Sequence, residues 1–112
     1  MKTKIIIYQI FTRLFGNRKT TRKEWGTLAE NGVGKMNSIQ SAQLRQMRRL
    51  GITHVWYTGI IRHATDTDYT QFGIPSQNPQ VVKGIAGSPY AIVDYYDVDP
   101  DLAVSVPDRM SE

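Results

Sequence analysis

The sequence predicts an α/β fold built on a parallel strand, helix, strand unit. Apolar runs at residues 4–12 and 52–58 read as buried strands, and a stretch of helical spacing lies between them at 38–50. Two parallel strands need a crossover connection, and a helical crossover is right-handed in nearly all folds.

The first run, IIIYQIFT, is rich in β-branched and aromatic residues and apolar at both alternating positions, as in a strand covered on both faces. It is too short to span a membrane. Lys2 and Lys4 ahead of Ile5, Ile6 and Ile7 give it a faint likeness to a signal peptide. Gln9, Thr12 and Arg13 interrupt the apolar run, however, and no small-residue cleavage site follows. The run is therefore a strand of the mature protein, with the cytoplasm as the expected compartment. Residues 13–35 then carry Gly16, Asn17, Gly26, Asn31, Gly32 and Gly34 among polar neighbours, an irregular excursion longer than ordinary connections.

In the helical stretch Ile39, Ala42, Leu44, Met47 and Leu50 recur at roughly helical spacing, and Gly51 stops the pattern. Arg48 and Arg49 fall in the last turn, where positive charge suits the helix dipole. The second apolar run is ITHVWYT. Beyond it nothing is strongly periodic: Gly73, Pro75, Gly84, Gly87 and Pro89 punctuate the chain, with residues 91–96 a short extended piece. A parallel sheet needs helices on both faces, and the second half supplies none. Either the long loop covers the two strands or the rest of the sheet lies beyond residue 112.

The composition, 40% apolar and 21% charged, is that of a globular protein and suggests neither disorder nor a membrane class. The net charge of +4 comes from 14 Lys and Arg against 10 acids. Arg13, Arg18, Lys19, Arg22 and Lys23 form a basic stretch without interleaved aromatics. Arg45, Arg48 and Arg49 read as the wet side of the helix, so no nucleic-acid partner is expected. With no cysteine, disulfides, thiol catalysis and thiolate metal sites are excluded.

Three stretches resemble the opening of the alpha-amylase family, family 13 of the glycoside hydrolases. IYQIF with Thr12 and Arg13 is similar to that family's first barrel strand. LRQMRRLGITHVWYTGI is similar to its first helix and second strand, with Gly59 where a proline is usual. SPYAIVDYYDVDPDLA resembles the pattern Gly-Tyr-x-x-x-Asp-Tyr, a valine, Asp-Pro and a leucine-glycine pair. Tyr90, Asp94, Tyr95, Asp99 and Pro100 match it, while Pro89 and Ala103 stand in place of glycines.

The resemblance implies the N-terminal βαβ portion of a TIM (β/α)8 barrel, incomplete in this chain, since such a barrel takes about 250 residues. Residues 1–112 would supply the first strand, a long loop, the first helix, the second strand and a long loop on the active face. The parent would be a retaining glycoside hydrolase acting on α-glucosidic bonds of starch-like glucans. Its catalytic carboxylates come from later strands, so no catalytic residue is assigned, and Asp66, Asp68 and Asp97 are not nominated. The isolated chain is expected to be inactive.

Tyr90 matches the family's tyrosine that stacks against a sugar ring, and it is the expected substrate-binding residue. An aromatic face suits the C–H patch of a pyranose. Exo-acting relatives commonly have an aspartate three residues before this tyrosine. Gly87 stands there, which leans towards an open cleft. His63 follows the second strand on the active face, where a solvated loop histidine is an equal reading. His54 is expected as a core or barrel-lining histidine, and Trp25 and Trp56 as packing residues.

Asp97, Asp99, Asp101 and Asp108 fall at positions one, three, five and twelve of a calcium-loop template. Leu102 replaces its glycine, Pro100 stiffens the turn and the last ligand is not Glu, so no metal site is expected. Asp94 and Asp99 are expected to form turns through side-chain to backbone hydrogen bonds. No cofactor is implied. The expected partner is an α-glucan or maltooligosaccharide, with no membrane partner and with self-association through exposed strands. The competing reading is a small basic non-enzymatic module binding an anionic polymer or a partner protein.

Overall fold

The computed structural model describes residues 4–112; Lys2, one of the two lysines weighed as a signal-peptide start, lies outside them. The chain is a mixed α/β structure with two two-stranded sheets. Strand β1 (Ile7–Phe11) pairs in parallel with β2 (His54–Thr58), Ile7 opposite His54 and Phe11 opposite Thr58. Side chains lock the register at both ends. Gln9 Nε2 donates to Thr58 Oγ1 at 2.7 Å, and the Thr53 hydroxyl accepts from the Ile6 N–H at 2.9 Å.

β1 is shorter than the expected 4–12 because Thr12 turns the chain into α1 (Thr12–Phe15). The excursion that follows contains one more single-turn helix, α2 (Leu28–Asn31). The expected helix at 38–50 is trimmed to α3 (Ser41–Arg49), with a separate 3-10 turn at Met36–Ser38. Its start is set by the Gln40 N–H, which donates to Gln43 Oε1 at 3.0 Å, and its end by Ile52 N–H returning to the Met47 carbonyl at 3.1 Å.

A second sheet was not foreseen as a pair. β3 (Ile61–His63) runs antiparallel to β4 (Ile92–Val98), which overlaps the extended piece expected at 91–96, with register shifts on either side of Arg62. The small core consists of Ile10, Met47, Ala64, Ile74, Val82, Leu102 and Ala103.

The expectation that β1 and β2 are buried is overturned: Ile7, Tyr8 and Tyr57 are exposed, and Trp56 is 56% exposed. His54 is not a core histidine, being exposed with Nδ1 2.8 Å from Thr53 Oγ1. Nor does Trp25 pack; it stands 66% exposed on the long loop. The cause is missing cover. A parallel pair is buried only where helices lie on both faces, and α3 contributes only Met47 to the core while Leu44 and Leu50 face solvent. The accessible surface of 8039 Å² exceeds the about 6,200 Å² typical of a folded monomer of this mass. The radius of gyration, 15.6 Å, likewise exceeds the about 13 Å of a compact domain of this length. Among the described residues no helix is long and apolar enough to cross a membrane.

Candidate functional site

β4 runs into a 3-10 turn, Pro100–Leu102, that buries two aspartates completely. Pro100 presets the first turn position, and Asp99 Oδ1 accepts the Asp101 N–H at 3.1 Å. The turn is tied to the residue just before β3 by Asp99 N–H donating to the Ile60 carbonyl at 2.8 Å. Buried carboxylates require partners, and these come from distant parts of the chain. Arg13 Nη2 donates to Asp101 Oδ2 at 2.6 Å, Lys35 Nζ to the Asp101 carbonyl at 2.7 Å, and the Tyr69 hydroxyl to Asp101 Oδ1.

Asp99 is less well served. Its Oδ2 lies 3.5 Å from both Arg13 Nη2 and His63 Nε2, within ion-pair range, yet it accepts no hydrogen bond. His63 is itself buried, with Nε2 3.1 Å from the Ala86 carbonyl. The other ring nitrogen, Nδ1, lies 3.4 Å from the Ile61 carbonyl, so both nitrogens face main-chain oxygens. The solvated-loop alternative for His63 is thereby overturned.

Burial, and then the Asp101 charge beside it, push the Asp99 carboxyl up to about 6, against the pull of His63 and Arg13. Burial, then the same Asp101 charge, raise the Tyr69 phenol, which stays a neutral donor. Burial depresses the Lys35 ammonium, against the attraction of Asp101. Because Asp99 holds its proton more tightly in the folded chain than in the unfolded one, stability falls as pH rises from about 4 to about 6 and stays lower above. The contribution is on the order of 2–3 kcal/mol. Asp97 acts oppositely and below that window. Burial raises its carboxyl, but the Arg109 hydrogen bonds, the Val98 N–H and the Arg109 and Arg62 charges outweigh it and lower it. Asp99→Asn is expected to remove the loss between pH 4 and 6, read as denaturant midpoints across that range. An unchanged pH profile in the variant would rule Asp99 out as its source.

The four aspartates of the calcium-loop template are spent on other partners. Asp97 is held by the Arg109 fork at 2.8 and 3.0 Å and by Arg62 at 3.2 Å. Asp108 accepts from the Ser105 hydroxyl at 2.8 Å, and Asp99 and Asp101 face Arg13. Asp94 Oδ1 accepts the Tyr96 N–H at 2.9 Å, the expected turn role, as Asp99 does for Asp101.

Tyr90 lies on the loop that leads into β4, 75% exposed, with its N–H donating to Ser88 Oγ at 3.3 Å. The preceding Pro89 packs at the carboxyl ends of both parallel strands. A Cβ built on Gly59, next after β2, would come 3.1 Å from Pro89 Cβ and 3.2 Å from Cε2 of Phe11, the last residue of β1. Gly59 has φ +80°, which the proline ring forbids, so the departure from a proline here extends to the backbone. Gly87 is fixed by packing, since a Cβ there would stand 1.8 Å from the Ala64 carbonyl oxygen. No aspartate could occupy that position on this backbone.

Sequence reasoning assigned Tyr90 to the site but missed the buried set of Arg13, Lys35, His63, Tyr69, Asp99 and Asp101. That set ties both ends of the long loop after β1 to the turn after β4. Comparison with protein-family models, curated proteins and solved structures returned no match to this chain.

Proposed function

We propose that this chain forms the first βαβ portion of a (β/α)8 barrel in a retaining glycoside hydrolase that cleaves α-glucosidic bonds of starch-like glucans. Its share of the work is substrate positioning through Tyr90. The reading is carried by the meeting of Phe11, Gly59 and Pro89 at the carboxyl ends of β1 and β2, beside an exposed Tyr90. Barrel enzymes gather their substrate at that end of the strands.

A second feature supports it. Gly59 and Pro89, two departures from the family pattern, stand against one another. Where the family has proline after the second strand and glycine before the tyrosine, this chain has the reverse, so one contact accommodates both exchanges. The bare faces of β1 and β2 are those that further strands and helices of a barrel cover. Uncovered, such faces also favour self-association.

Retaining hydrolysis needs an acid/base and a nucleophile roughly 5 Å apart on either side of the bond. Asp99 and Asp101 do not serve, because both are wholly buried and face Arg13. In this reading the catalytic carboxylates come from later strands, and the chain binds glucan without cutting it. Retardation in a starch-containing native gel is expected to survive moderate salt and to weaken about tenfold in Tyr90→Ala, the loss of an aromatic contact worth roughly 1.4 kcal/mol. Tyr90→Phe should retain it. Equal retardation of wild type and Tyr90→Ala would remove Tyr90 as a sugar platform. Retention on heparin that vanishes at moderate salt, with none on starch, would favour the basic binding module instead.

A further inference from the structure

The long loop between β1 and α3 is built around a cavity of about 490 Å³ whose lining includes Arg13, Lys19, Arg22, Asn17, Thr20 and Thr27 and no acidic residue. Arg13 is neutralised by Asp101, but the other two cations are not. Lys19 Nζ donates only to the neutral Ala29 carbonyl, and Arg22 makes no ion pair among the described residues. Two uncompensated positive charges thus share one cavity with the Thr20 hydroxyl and with Asn17 and Thr27, whose side chains already bond Asn31, Lys19 and Glu30.

The loop is held in shape while its backbone is strained. Asn31 clasps the Lys23 main chain, accepting its N–H at 2.7 Å and donating to its carbonyl at 2.8 Å. Lys23 Nζ pairs with Glu30 at 2.6 Å. Among the described residues the only non-glycine positions with positive φ are Arg22 at 50° and Trp25 at 56°, both in this one loop. A left-handed tryptophan is costly and persists where its surroundings impose it, and such strain clusters at active sites, ligand clamps and switch regions. Trp25 recovers little by packing, being 66% exposed, and it immediately precedes Gly26 and Thr27 of the cavity wall without itself lining the cavity.

We propose that this loop binds a small anionic sugar, a monosaccharide bearing a phosphate or sulfate ester. Lys19 and Arg22 receive the anion, the neutral polar groups meet sugar hydroxyls, and the Trp25 ring covers the apolar face of the pyranose. The cavity matches a single small ligand rather than a strand of nucleic acid, which needs a groove with successive stacking platforms. The inference does not rest on the glycosidase reading, because the ligand, the loop and the aromatic residue are all different.

The test follows the fluorescence of Trp25 in the full chain carrying Trp56→Phe, titrated with glucose 6-phosphate, glucose 6-sulfate, glucose and a short oligothymidylate. Saturable binding of at least one ester at millimolar concentration is expected, tenfold or more tighter than glucose and weakened by salt. Lys19→Ala with Arg22→Ala should weaken it at least tenfold. Trp25→Gly, followed by calorimetry in place of fluorescence, should abolish binding while leaving Tm unchanged or higher, because glycine relieves the strain. Binding of neither ester, equal binding of glucose, tighter binding of the oligonucleotide, or a fall in Tm for Trp25→Gly would each overturn the proposal.

Discussion

Arg13→Ala is expected to cost about 3–5 kcal/mol of folding free energy at pH 7, the range for removing one partner from a buried ion pair. Arg13 holds Asp101 at 2.6 Å and stands 3.5 Å from Asp99, and neither aspartate touches solvent. Without the guanidinium, Asp101 keeps the Tyr69 hydroxyl, and Lys35 donates only to its main-chain carbonyl. Two buried carboxylates would then face each other with little cation to offset them. The variant's loss should be smaller at pH 4 than at pH 7. Losing Arg13 raises the folded-state affinity of Asp99 for protons further, and its protonation removes part of the uncompensated charge. Arg13→Ala with Asp101→Asn should recover a good part of the stability. Chemical denaturation at the two pH values measures both effects. A loss below about 1 kcal/mol, or one equal at pH 4 and 7, would mean the pair is solvated rather than buried.

The parallel pairing of β1 and β2 was legible because β-branched and aromatic runs of strand length flanked one helical stretch closed by Gly51. Their burial was not. Periodicity reports that a face is apolar, whereas burial depends on what covers it, and α3 brings only Met47 to the core. That is why His54 and Trp56, both on β2, were misplaced. β3 was illegible for a different reason: three residues with shifted register carry no period to detect.

Tyr90 came from its place in a pattern, not from chemistry visible in its own segment. The buried polar set was hidden twice over. Aspartates are almost never fully buried unless paired, and the partner that makes it possible here, Arg13, lies 88 residues before Asp101. A faint signal existed in the run VDPDLA, where two acids sit inside an apolar context with a turn-forming proline between them. Solvated turns share that composition, so distance in sequence was the obstacle.

Gly87→Ala is expected to destabilise the chain by roughly 2–5 kcal/mol, from two additive causes. The first is backbone strain. With φ +75°, any side chain at 87 adopts a left-handed conformation costing roughly 1–2 kcal/mol. The second is collision, since the new Cβ would lie 1.8 Å from the Ala64 carbonyl oxygen and 3.0 Å from its carbon. Ala64 is poorly placed to retreat. Its N–H donates to the Ala91 carbonyl at 2.9 Å, and the next two residues are held by the Ile85 carbonyl, through Thr65 Oγ1 at 2.9 Å and the Asp66 N–H at 2.8 Å. Relief must therefore come from moving the loop that carries His63's partner, Ala86, which would loosen the contact of His63 with Asp99. Gly84→Ala separates the two causes, because Gly84 has φ +70° but nothing within 4 Å of a built Cβ. It should lose only the strain contribution. Denaturant midpoints give the difference between the variants, and faster amide exchange at Ala64 and Asp66 in Gly87→Ala alone would locate the collision. Equal losses for the two variants would place the whole effect in the backbone conformation and leave Ala64 free to yield.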